Sequence, residues 1–204
     1  MTKPLIIIGG GGHASVLIET LKLLDRELIG IVDPALKVGS TGYGKLPIIG
    51  DDQKINSYSP NQVELVNGIG VIPGNDLRKK AYNKYKQEGY IFSSVVHPTA
   101  IIANTVELAE GVQIMAGVVI QPNTFIGENS IINTSASIDH NCTVAEHCHV
   151  APHATLCGDV KLGNTIFVGA GATIIQGIEI GKKSVVGAGA VILKNLANNE
   201  TVRK

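Results

Sequence analysis

An α/β domain followed by an all-β solenoid is the fold class that the sequence predicts. Three observations point there. Residues 95–196 divide into 17 consecutive hexads without an insertion. The second position of every hexad is aliphatic, from Val96 through Ile138 and Leu156 to Ile192. Ahead of them a short apolar run, Pro4–Ile8, meets a glycine cluster and then a helical apolar pattern, the opening of a βαβ unit.

A strict period of six is incompatible with an α-helix, whose apolar positions recur at about 3.6. It fits a hexapeptide β-helix, in which each hexad supplies one short strand and one turn. Positions six and two lie two residues apart, so on a strand they face the same side, here the core. The sixth position is small or β-branched in most hexads, as at Ala100, Val106, Ala136, Cys142, Ala172 and Ala190. Positions one and three then point outward, and four and five form the turn. Three hexads close one triangular coil, so residues 18 apart stack on neighbouring coils, about 4.8 Å apart. The repeats alone are equally compatible with a purely structural solenoid.

In chain order, Lys3–Gly9 reads as a strand, Gly9–Gly12 as a turn, and the stretch through Leu24 as a helix by the spacing of Val16, Leu17, Thr20, Leu21 and Leu24. Together they predict a Rossmann-like βαβ start. Gly9, Gly11 and Ala14 fit G-x-G-x-x-A, which brings backbone amides and a helix N-terminus up to a phosphate. A second strand, Glu27–Val32, ends at Asp33, an acid placed where such folds contact a ribose. Pro47–Ile49 and Val63–Asn67 are further strands, with Asn67-Gly68-Ile69-Gly70 at the end of the latter. Asp76–Glu88 reads as a charged amphipathic helix, and Tyr90–Phe92 leads into the first hexad. The fingerprint also fits a tight turn in any small α/β domain. Roughly 90 residues precede the repeats, half of a dinucleotide fold, which favours a single nucleotide over NAD. The expected domains are residues 1–93 and 94–204.

Lys and Arg total 17, as do Asp and Glu, so formal net charge is zero. That excludes a basic nucleic-acid tract and a polybasic membrane patch. The longest apolar run is far too short to span a bilayer, and no signal peptide is visible. Two of the three cysteines, Cys142 and Cys148, occupy inward sixth positions. An odd count without a C-x-x-C pair fits a reducing compartment, and a cytoplasmic protein is expected.

Histidines concentrate at one level of the solenoid: His140, His147, His149 and His153. One reading is a metal site, although the only upstream histidine of the solenoid is His97. The other is general-base catalysis. His140 sits at position four of its hexad, on a turn, flanked by Asp139 and Asn141. A neutral imidazole suits proton abstraction from an amine or hydroxyl. Gly158 holds the same position 18 residues later, hence on the adjacent coil. A glycine there gives room and a free N–H, which an oxyanion donor needs. His149, at an outward first position, is a candidate acyl-donor contact. Cys157 lies beside the same place, but no base is paired with it in sequence.

The motifs GGGGHA (9–14), SIDHNC (137–142), HVAPHATLCGDVKLG (149–163) and VVGAGAVI (185–192), with Asp33, resemble the left-handed β-helix acyltransferases of nucleotide-amino-sugar pathways. These include UDP-4-amino-sugar N-acetyltransferases of the bacillosamine type and sialic acid O-acetyltransferases. The resemblance implies a left-handed coil, a homotrimer, and acetyl-CoA as co-substrate in the groove between subunits, with no permanently bound cofactor and no metal. It implies His140 as general base, Gly158 as the amide on the acetyl carbonyl, and His149 as a donor contact. Ala170, Gly187 and Ala188 would line the acetyl-CoA groove, and Asn133 would touch the sugar. Gly11, Gly12, His13, Asp33 and Gly68 would form the nucleotide-sugar pocket. The implied reaction is N-acetylation of a UDP- or dTDP-linked 4-amino-4,6-dideoxy sugar for surface glycan or glycoprotein synthesis. Alternatives are sugar O-acetylation, a non-catalytic nucleotide-sugar-binding solenoid, and a metal-dependent lyase. Two departures stand out. Family members carry an acid after the catalytic histidine where this chain has Asn141, and their Gly-x-Pro-Ala-Lys tail is absent from Thr201–Lys204.

Overall fold

The computed structural model describes residues 2–203, which fall into two compact units meeting at Val95 and Val96. In the first, β1 (Leu5–Ile8), β2 (Leu28–Val32), β3 (Ile48–Gly50) and β4 (Glu64–Asn67) form one parallel sheet in the order β3-β2-β1-β4. The near-continuous Leu and Ile of β1 suit a strand buried on both faces. Helix α1 (Gly12–Leu23) packs by Ala14, Leu17, Ile18 and Leu21, the spacing of a single apolar stripe. A short α2 (Asp52–Ile55), which the sequence did not announce, starts where the Asp51 side chain accepts the Gln53 N–H. Helix α3 (Leu77–Gln87) turns Arg78, Tyr82 and Tyr85 inward. Tyr82 stacks at 4.6 Å on Phe92, whose own backbone bridges to Leu65.

The second unit is a parallel β-helix. Each hexad contributes one two-residue strand at its first and second positions, from β5 (Val95–Val96) to β21 (Val191–Ile192). These strands build three walls of five, six and seven members. Register is the expected one: Ser137 opposes Thr155 and Ile138 opposes Leu156. The seventh strand of the largest wall is β22 (Thr201–Val202), which pairs with Val185–Val186, so the chain after the hexads finishes the stack. The core is made of second and sixth positions, including Ala136, Ile138, Cys142, Val144, Leu156 and Ile174.

The turns have a definite conformation. From Gly111 to Gly189 the fifth residue of every hexad is left-handed, including Asn123, Asn141, His153 and Asp159 at φ values of 58° to 60°. From Asn129 to Gly189 its N–H donates to the fourth-position carbonyl of the coil before, as Asp159 does to His140 at 2.9 Å, while Gly117 and Asn123 donate instead to Thr99 and Thr105 Oγ1. That preference explains the Asn, Asp and Gly at these places.

Exposure of the first positions differs between walls: Glu107, Thr143, Lys161 and Glu179 are exposed on the five-stranded wall, whereas Gln113, Ile131 and His149 are buried on the seven-stranded one. Among the described residues no helix is long and apolar enough to cross a membrane.

Candidate active site

One corner of the solenoid gathers the chemistry. The parallel pairing of Ser137–Ile138 with Thr155–Leu156 delivers the following turns, 139–141 and 157–159, one above the other. His140 therefore lies over Gly158, so closely that a Cβ at 158 would stand 2.7 Å from the ring Cε1 and 2.9 Å from Nε2. The room made by the missing side chain is filled by the imidazole. The Gly158 carbonyl accepts the Gly177 N–H at 2.9 Å, while no acceptor stands opposite its own N–H among the described residues. That amide is free to meet a ligand oxygen, and the pair borders an open cavity of about 540 Å³ with Asp139, Cys157, Asp159 and Gln176.

The neighbours of His140 divide their work. Asp139 Oδ1 accepts the His140 backbone N–H at 2.8 Å, which fixes the turn and leaves the ring alone. The side-chain amide of Asn141 reaches ring Nδ1 at 3.2 Å. The other end of that amide meets Asn123, stacked one coil earlier, also at 3.2 Å. Asn123 was not singled out in the sequence, although the 18-residue register that pairs His140 with Gly158 also pairs it with Asn141. Behind the cavity, Cys142 donates its thiol to the Cys157 carbonyl at 3.2 Å, and burial pushes that thiol up to about 11.

Five other predicted residues lie elsewhere on the solenoid. His149 and Asn133 belong to the seven-stranded wall, where His149 Nε2 and Asn133 Nδ2 are 3.4 Å apart and the His149 ring packs against Phe167 at 5.1 Å. His149 is 7% exposed, its ring taken up by the contact with Phe167. Ala170 and Ala188 stack on the turn after that wall, with the Gly189 N–H on the Ala170 carbonyl at 2.8 Å, and Gly187 immediately precedes Ala188. The structure thus unites His140, Asn141 and Gly158 at one corner and sets Ala170, Gly187 and Ala188 at another. His147 bonds Asn129 through Nδ1 and His153 is exposed on a turn, so the four histidines do not converge.

In the first unit, Gly9 is left-handed and opens the turn between β1 and α1. Gly11 caps the helix, Gly12 begins it, and neither position has anything within 4 Å of where a Cβ would stand. His13 follows in the first turn of α1. Asp33 spends its carboxylate on backbone: Oδ2 accepts Gly10 N–H at 2.7 Å and Oδ1 accepts Ala35 N–H at 2.8 Å. Gly68 approaches so closely that a Cβ would stand 2.7 Å from the Gly9 carbonyl oxygen. Its loop is held from behind by buried Arg78, which donates to the Asn67 and Ile69 carbonyls at 2.8 Å each. Burial lowers that guanidinium to about 9, which leaves it charged at neutral pH. Its place on the Arg78-Tyr82-Tyr85 stripe of α3 was the available signal. A cavity of about 360 Å³ beside this loop is bordered by Gly9, Asp33, Ile69, Lys80 and Lys84.

Residues 4–85 match the PglD N-terminal domain. Residues 123–158 match the bacterial transferase hexapeptide (six repeats), and 160–194 the hexapeptide repeat of succinyl-transferase. Among solved structures, GDP-perosamine N-acetyltransferase of Caulobacter crescentus, a histidine-to-alanine form in complex with CoA and GDP-perosamine, is 34% identical over 100% of this chain and 95% of its own, with a TM-score of 0.90. The chain belongs to the hexapeptide-repeat acetyltransferases of nucleotide-linked amino sugars. The acetyltransferase domain of PglB from Neisseria gonorrhoeae, in complex with acetyl coenzyme A, is 28% identical, covered over 100% of this chain and 97% of that one, with a TM-score of 0.91. WeeI from Acinetobacter baumannii, at 20% identity and a TM-score of 0.87 over 100% and 97%, shares the fold. No curated protein matches the chain. The solenoid of this acetyltransferase is thus the left-handed parallel β-helix.

Proposed function

We propose that this acetyltransferase moves the acetyl group of acetyl-CoA onto the 4-amine of a nucleotide-linked 4-amino-4,6-dideoxy sugar, serving glycan synthesis. The observation that carries the reading is the imidazole of His140 lying over Gly158, whose N–H has no acceptor opposite it among the described residues. The amine nitrogen attacks the thioester carbonyl while His140 takes its proton. The Gly158 N–H donates to the oxygen of the tetrahedral intermediate. As the C–S bond breaks, the imidazolium returns the proton to the CoA sulfur. No acyl-enzyme is formed, and the amine needs less from its base than a hydroxyl would, in keeping with Asn141 in place of an acid.

The site needs more than one chain in this reading. The His140 corner and the Ala170–Ala188 corner are different corners of the solenoid, and a threefold arrangement of solenoids sets one corner beside the other of the next subunit. Acetyl-CoA then lies in that groove, along Ala170, Gly187 and Ala188, with His149 and Asn133 contributed from the adjoining wall. Gly11, Gly12, His13, Asp33 and Gly68 hold the nucleotide. The cytoplasm, where thiols stay reduced, suits the three free cysteines.

The test is a panel of UDP-, dTDP- and GDP-linked 4-amino sugars with acetyl-CoA, read by free CoA thiol. The GDP arm is included because the Caulobacter crescentus relative holds GDP-perosamine. One acceptor should release thiol, and His140→Ala should lower turnover by roughly 10²–10⁴-fold while acetyl-CoA binding persists. Near-normal turnover in that variant would remove His140 from the mechanism.

A further inference from the structure

We propose that Cys142 is a positioning residue: its buried thiol turns the peptide between Cys157 and Gly158 so that the Gly158 N–H faces the cavity. The inference rests on the reading of that N–H as the donor to the acetyl oxygen, and it names what aims the donor.

The peptides on either side of this one are held by the neighbouring coils. The Cys157 N–H donates to the Ile174 carbonyl at 2.9 Å, and the Asp159 N–H to the His140 carbonyl at 2.9 Å. The peptide joining Cys157 to Gly158 has one bond among the described residues: its carbonyl accepts the Cys142 thiol at 3.2 Å. Cys142 is 1% exposed and belongs to the solenoid core. A trans peptide sets its N–H opposite its carbonyl, and no described peptide is cis. With the carbonyl drawn to a core thiol, the Gly158 N–H points outward, to the cavity of about 540 Å³ that Gly158 borders with His140. Little else opposes a flip that would turn it inward. The flip changes ψ of Cys157 and φ of Gly158, and a glycine takes either sign of φ.

The preceding coil repeats the arrangement with a hydroxyl. Thr124, also at a sixth position and 1% exposed, donates to the Asp139 carbonyl at 3.0 Å. The N–H of that peptide belongs to His140, and Asp139 Oδ1, on the same cavity, takes it at 2.8 Å. One coil later Cys157 stands in place of the acid, so the equivalent N–H is left for a ligand. The other sixth positions along this corner are Val106, Val160, Ile178 and Leu196, none of which can donate. At this corner, then, the two turns tied to a polar core side chain are the two that carry His140 and Gly158. Burial pushes the Cys142 thiol up to about 11, so it keeps its proton and remains a donor at neutral pH.

Val and Thr share a shape and differ by the hydroxyl, and this column already buries both, at Val160 and Thr124. Cys142→Val removes the donor, and Cys142→Thr restores one. With acetyl-CoA and the accepted sugar, Cys142→Val should lose about tenfold in kcat, the scale of one neutral hydrogen bond, with the KM for acetyl-CoA changed less than about twofold. Cys142→Thr should stay within about threefold of wild type and melt no higher than Cys142→Val. Cys148→Val is the control: Cys148 donates in the same way to the Gly163 carbonyl at 3.1 Å, on another corner, and its loss should change kcat less than about twofold. A second measurement reads the peptide without turnover. Cys157-Gly158 is the one Cys-Gly pair in the sequence, so full-length protein labelled with 1-¹³C-cysteine and ¹⁵N-glycine gives a single carbonyl–amide correlation. Its carbonyl should move upfield in Cys142→Val and not in Cys142→Thr. A carbonyl that does not move in Cys142→Val, or a loss of kcat in Cys148→Val as large as in Cys142→Val, overturns the proposal. A carbonyl that moves while kcat stays means that the Gly158 N–H is not the donor, and the reading beneath the proposal falls with it.

Discussion

A single missing methyl at Gly158 decides where the His140 ring can lie. The glycine is not left-handed, so its backbone would accept any residue, and the constraint comes only from the imidazole above it. Gly158→Ala should therefore leave the fold nearly intact, because the atoms in the way sit at the end of a side chain that can swing out. It should cost about 10²-fold in turnover, since a base displaced by about 1 Å no longer meets its proton. Thermal melting alongside thiol-release kinetics checks both halves. A drop in melting temperature of many degrees, or unchanged turnover, would contradict the packing argument. The same residue shows how much of the site was readable. The pairing of His140 with Gly158 follows from an 18-residue lap, a property of the repeat. The burial of His149 does not follow, because the repeat says which way a side chain points and nothing of what lies against the wall. Nor did spacing distinguish Asp139 from Asn141 as the ring's partner; that depends on the rotamers of two adjacent polar residues.

At the scale of the element, one hexad is a two-residue strand and a turn whose fifth residue is left-handed. The period was legible because it repeats without a slip, and the strands fall on the first two positions throughout. The left-handed residue was less legible, since Thr165 and Lys183 stand there beside the expected Asn, Asp and Gly. His153 offers a clean test: it is exposed, at φ 58°, and its backbone N–H is bonded to the Thr134 carbonyl at 3.0 Å whatever its side chain. Replacing it by a β-branched residue adds the steric cost of that conformation and removes nothing else. His153→Val should lose about 1–2 kcal/mol in urea unfolding, while His153→Gly should lose little or none. Equal losses would mean that the side chain, and not the backbone, is what the turn depends on.

Across the whole molecule the two units are stabilised differently. The first relies on a few large side chains, Tyr82, Tyr85 and Phe92 among them, gathered under a four-stranded sheet. The second relies on thin identical layers, each in contact only with the layer above and below, the condition under which stability becomes a sum of nearest-neighbour terms. Leu156 is fully buried and paired on both sides, with Ile138 and Ile174. Ile102 begins the same wall, is only partly buried, and has Ile120 on one side alone. Leu156→Ala should cost about 2–5 kcal/mol, because the cavity it leaves is closed by rigid layers. Ile102→Ala should cost about 1 kcal/mol, because the transfer term is smaller and the open end can relax. Amide hydrogen exchange along the strands reads each unit separately. Faster exchange should centre on the coils flanking residue 156 in the first variant and stay at the opening coil in the second. Uniform acceleration in both would mean that the stack opens as one block and that its layers are not independent.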